Sequence, residues 1–119
     1  MGVAAGVRAA GRRAVTGAVP RPDPVIVTTT RLSIVALLAA AEEMEFAAVR
    51  DAVELSDSAL SKQASALEAA GYVRIRKGHV GKRPRTWLSL TPLGRYQFTQ
   101  HVAALNAIVA RSGMRIDRA

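Results

Sequence analysis

Between Ser56 and Pro92 the hydrophobic period of the chain changes twice, and few folds accept that order. Leu60, Ala64 and Leu67 recur at helical spacing behind Ser56, whose hydroxyl suits an N-cap. Asp57 places a carboxylate where the helix dipole favours one, and Gly71 follows Ala70 as a helix-ending residue. Past Gly71 the period drops to two. Val73 and Ile75 alternate with Arg74 and Arg76, and a second strand over Thr86 to Leu90 puts Leu88 and Leu90 on one face. Between the strands, Gly78-His79-Val80-Gly81-Lys82-Arg83-Pro84-Arg85 reads as a long, glycine-punctuated basic loop. Thr91-Pro92 then restores the helical period, with Thr91 as N-cap and Pro92 where its missing N–H costs nothing.

Two helices are expected upstream. The first takes Thr29 or Thr30 as its N-cap and lines up Ile34, Leu37, Leu38 and Ala41. Glu42, Glu43 and Glu45 suit a helix C-terminus badly, so it should stop near Ala41. Phe46 to Val53 reads as a short second helix that buries Phe46, Val49 and Val53. After Pro92, Phe98, Val102, Leu105 and Val109 line one face of a last helix, flanked by His101 and Ile108. That helix is long for the domain, so part of its apolar face should lack a partner within the chain. The expected fold is α+β and mainly helical: a winged helix-turn-helix with a two-stranded basic wing and a long C-terminal dimerisation helix. Residues 1–24 read as a flexible basic arm, 25–112 as the domain and 113–119 as a tail.

Composition narrows the function. At 119 residues the chain supports one core. Absence of cysteine removes disulfides, thiol catalysis and Cys-based zinc sites, and His79 and His101 form no spaced ligand motif. Gly78 to Lys82 is too short for a phosphate loop, with Arg83 where Ser or Thr is needed, and no nucleophile elbow accompanies the serines. No enzyme, cofactor or metal is expected, and Glu42, Glu43 and Glu45 read as surface charge. No window approaches a membrane-spanning run, and the arm has no amphipathic stripe for a membrane surface. The arm is acid-poor, like a transit peptide, but Arg8, Arg12 and Arg13 interrupt any secretory apolar stretch.

Charge points to a polyanion. The net charge is +8, and residues 69–116 hold nine Lys and Arg with no Asp or Glu, behind an acidic stretch over 42–68. In a helix-turn-helix the third helix enters the major groove of double-stranded DNA, and its outward side must be slim and polar. Ser58, Ser61, Lys62 and Ser65 fit there. The hairpin cations Arg76, Lys77, Lys82, Arg83 and Arg85 suit phosphates, while His79 suits either a minor groove or a plain loop. Trp87 reads as a packing residue at the hairpin base and His101 as a core or dimer-flank residue.

Leu55-Ser56-Asp57, Leu60-Ser61-Lys62 and Leu67-Glu68-Ala69-Ala70-Gly71-Tyr72-Val73 carry a further signal, with Arg83-Pro84-Arg85-Thr86 and Leu90-Thr91-Pro92-Leu93-Gly94-Arg95. Over roughly residues 28–110 this resembles the compact MarR-like winged-helix regulators of bacteria and archaea. That family often has Asn at the place of Ala59, His at Gln63, a large apolar residue at Ala64 and Arg at Ser65. The resemblance implies a cytoplasmic, homodimeric transcription regulator, commonly a repressor, whose dimers often bind a small-molecule effector. Its first and last helices would form the dimer, which here means Ile34, Leu38, Phe98, Val102, Leu105 and Val109. The alternative is a protein-assembly module whose basic wing serves acidic partners.

Overall fold

A computed structural model of the chain describes residues 19–113. Helix α1 spans Thr29–Ala39. Its cap is Thr28, earlier than expected, because Thr28 is the threonine with extended backbone and its hydroxyl accepts the Arg31 N–H at 3.3 Å. The helix also stops at Ala39, short of Ala41. Strand β1 (Met44–Glu45) leads directly into α2 (Phe46–Val53). Helix α3 (Asp57–Ala69) is capped by Ser56, which accepts the Ala59 N–H at 3.1 Å, a contact of about 1 kcal/mol. Gly71, at φ +84°, ends it in the left-handed region that glycine tolerates best. Strands β2 (Val73–Val80) and β3 (Arg83–Leu90) follow, then α4 (Pro92–Ala110), capped by Thr91.

The sheet is antiparallel in the order β1-β3-β2. The ladder between β2 and β3 runs from Val73↔Leu90 to Val80↔Arg83, so the expected long loop is instead paired strand almost to its tip. Only Gly81 and Lys82 turn the chain, with Gly81 at φ +63° as a two-residue hairpin turn requires. The strands extend beyond the core, where neither face is apolar, and alternation there leaves no hydrophobic signal. The third strand, β1, pairs Met44 with Leu88 and Glu45 with Trp87, and two residues are too few to show any period.

Ile34, Val35, Leu38, Val49, Leu60, Ala64, Leu67, Val73 and Leu88 form the core between the helices and the sheet. Ile34 and Leu38 are 0% and 1% exposed, which corrects their assignment to a dimer contact: they are spent on the chain's own core. On α4 the fully buried residues are Gly94, His101 and Ala104. Phe98, Val102, Leu105 and Val109 are only half-buried, and Ile108 is 43% exposed.

The segment before α1 corrects the boundary of the arm. Most of residues 1–24 lie outside the described residues, but Asp23 is buried. Its N–H donates to His101 Nδ1 at 2.9 Å, and its Oδ2 accepts from the Tyr72 hydroxyl at 2.6 Å and Gln97 Nε2 at 3.1 Å. Arg31 reinforces the strap by donating to the Val25 carbonyl at 3.1 Å and to Gln63 Oε1 of α3 at 2.8 Å. His101 is thus a core residue, and its Nε2 is buried without a partner among the described residues.

Candidate nucleic-acid interface

Helix α3 divides cleanly into two sides. Leu60, Ala64 and Leu67 are buried, while Ser58, Ser61, Lys62 and Ser65 are exposed together on the other side. Arg50 links the two helices of the turn, because Nη1 donates to Asp57 Oδ1 in the first turn of α3 at 2.8 Å. Arg50 Nε also donates to Asp51 at 2.9 Å, and these partners hold the guanidinium charge more firmly than usual.

A cleft of about 580 Å³ runs between α3 and the hairpin. Ser61, Ser65 and Glu68 line it on the helix side, Lys77 and Thr86 on the strand side, and Leu88 lies at its floor. The pleat explains why Lys77 belongs there. Lys77 pairs with Thr86 and shares its face with Ile75 and His79, whereas Arg76, Gly78 and Val80 point the other way. The structure therefore brings the serines and Lys77 to one cleft. Lys82 and Arg83 stand exposed at the tip, and no salt bridge among the described residues engages Lys62, Lys77, Lys82 or Arg83.

Arg76 and Arg85 sit differently. Arg76 donates from Nε and Nη2 to the two carboxylate oxygens of Glu43 at 2.9 and 2.8 Å, and its guanidinium lies 4.1 Å from the centre of the Trp87 ring. Those bonds hold the Glu43 carboxyl below the usual glutamate range. Arg85 is half-buried beside Glu45, with 3.9 Å between Nε and Oε1, and that Nε has no hydrogen-bond partner among the described residues. Glu43 and Glu45 are thus partners of the hairpin arginines, not the free surface charge expected from sequence. The acidic block was visible in the chain, but its pairing depends on β1 lying next to β3, which spacing does not reveal. Among the described residues there is no cluster of three His, Asp or Glu suited to a metal, and no helix long and apolar enough to cross a membrane.

Residues 30–109 match the family model described as winged helix DNA-binding domain. An uncharacterised protein of Methanocaldococcus jannaschii is 29% identical over 75 residues, covering 63% of this chain and 82% of that one. The transcriptional regulator homologue of Pyrococcus horikoshii OT3 superimposes with a TM-score of 0.71 at 22% identity, over 76% of this chain and 89% of its own. The zinc-responsive MarR family member ZitR of Lactococcus lactis does so with a TM-score of 0.55 at 22% identity, over 76% and 62%. With its MarR-like fold, the chain belongs to the winged helix DNA-binding domain family.

Proposed function

We propose that the protein is a homodimeric transcriptional regulator that binds an inverted-repeat operator in the cytoplasm and represses the adjoining gene. Ser58, Ser61, Lys62 and Ser65 read base edges in the major groove, and Lys77, His79, Lys82 and Arg83 hold the flanking backbone. One observation carries the reading: slim polar residues of α3 and the unpaired Lys77 face each other across one open cleft, with further free cations at the hairpin tip. The half-buried stripe of α4, with exposed Ile108, supports the dimer. A two-fold dimer sets half-site centres about 10 base pairs apart.

The test is selection of bound sequences from random duplex, followed by footprinting. The reading expects an enriched inverted repeat protected on both halves. Binding without sequence preference, or a footprint without two-fold character, overturns it.

A further inference from the structure

The hairpin leaves the core at one row of residues. Leu88 is fully buried and pairs with Ile75 and with Met44, and beyond that row no hairpin residue is buried. The next row outward is Glu45–Trp87–Arg76. Here Arg76 makes its two bonds to Glu43, which immediately precedes β1, and covers the indole of Trp87. Two residues along β2 on the same face, a Cβ on Gly78 would come within 3.2 Å of the six-membered ring of Trp87, so the indole lies over bare backbone. Guanidinium, indole and backbone form a stack at the point where the hairpin could bend.

The other end of the stack is fixed. Glu43 is joined through β1 to α2, and α2 is tied to α3 by Arg50 and Asp57. Two carboxylates on this outer side would also repel a phosphate, while Lys77 on the cleft face and Lys82 and Arg83 at the tip are in no salt bridge among the described residues.

Building on the DNA-binding reading above, we propose that Glu43, Arg76 and Trp87 form a brace that sets the angle of the hairpin to α3. Glu43 is a positioning residue for DNA binding, and Arg76 is not a phosphate ligand. Lysine is the informative replacement at position 76. It keeps the charge a phosphate needs, but it lacks the planar fork that meets a carboxylate twice and stacks on an indole.

The experiment compares wild type, Glu43→Ala, Arg76→Lys and Arg83→Ala. Both changes to the brace are on the surface, and circular dichroism verifies that each variant is folded. Trp87 is the chain's one tryptophan, so its emission and its quenching by acrylamide report the stack without DNA. Glu43→Ala and Arg76→Lys should each raise quenching and weaken operator binding about tenfold. The double variant should be no weaker than either single one, because one unit has been broken. Neither should change the slope of log affinity against log salt, whereas Arg83→Ala should flatten it by about one unit per wing, or about two for the dimer. Tighter binding with a steeper slope in Glu43→Ala would overturn the brace, since it would expose Arg76 as a masked phosphate ligand. Wild-type affinity in Arg76→Lys, or unchanged quenching in both variants, would overturn it too. Failure of the wild type to bind any selected duplex would instead remove the DNA-binding reading on which the brace rests.

Discussion

Gly94 sits in the first turn of α4 directly over the Tyr72 carbonyl, so close that a Cβ there would collide with it. The same carbonyl accepts the Thr91 N–H at 3.0 Å, and the Thr91 hydroxyl donates to the Gly71 carbonyl at 2.6 Å. Helix α4 therefore docks backbone to backbone on the start of β2. Gly94→Ala must push the two apart and should cost about 1–3 kcal/mol, read from urea unfolding. Tyr72 gives a second expectation at this scale. Burial, and then its bond to Asp23, push its hydroxyl up to about 12 from an ordinary 10.0. In the unfolded chain that proton leaves near 10. The neutral hydroxyl thus contributes stability that is full below pH 10 and is lost as pH rises towards 12. Tyrosinate absorbance in a Tyr96→Phe background should show the late midpoint. A midpoint near 10 would mean that the hydroxyl is neither buried nor held by Asp23.

Among the elements, the hairpin has its own pH response. Glu43 titrates below its ordinary 4.5 because Arg76 holds it charged. What the pair contributes is present above 4.5 and is lost as pH falls through the lower folded value. Trp87 emission should therefore stay constant through mild acid and change only below the usual glutamate range. A change centred at the ordinary value would mean the carboxylate is free in solution. The helices were legible in sequence for definite reasons. The inward residues Leu60, Ala64 and Leu67 recur at 3.6-residue spacing, and Ser56 and Thr91 cap where a hydroxyl precedes an apolar run. The hairpin was legible as a basic element but not as two faces. Arg76 and Lys77 are adjacent and equally charged, and only the pleat and the neighbouring β1 send one to Glu43 and the other to the cleft. Glu43 itself carried no signal, since its partner lies 33 residues away.

At the scale of the whole molecule, the proposed dimer rests on the outer side of α4. Ile34 and Leu38 are inside the core, so in the proposed dimer a second copy would meet Leu105, Val109 and Ile108 without them. Changing Leu105 and Val109 to Glu would bring four carboxylates into the two-fold contact, a heavy desolvation penalty. Sedimentation should find wild-type dimers and monomers of the variant. A wild type that is monomeric at micromolar concentration would remove the dimer and leave operator spacing without its basis. The stripe was readable from its spacing, but its division was not: His101 and Ala104 are buried on the inner side, where His101 accepts the Asp23 N–H of the strap before α1.

That strap has a consequence for the order of folding. Asp23 reaches Tyr72 across 49 residues of chain and His101 across 78, whereas the turns and caps of α3 close over three or four. Contacts so distant along the chain close large loops, and the helices and hairpin they join must already stand before the carboxylate finds its partners. Asp23 should therefore be absent from the folding nucleus. Asp23→Ala should lose roughly 1–3 kcal/mol, almost all of it as faster unfolding, with the refolding limb of the chevron unmoved. A slowed refolding limb would place the strap early instead, as the clasp on which the rest of the domain assembles.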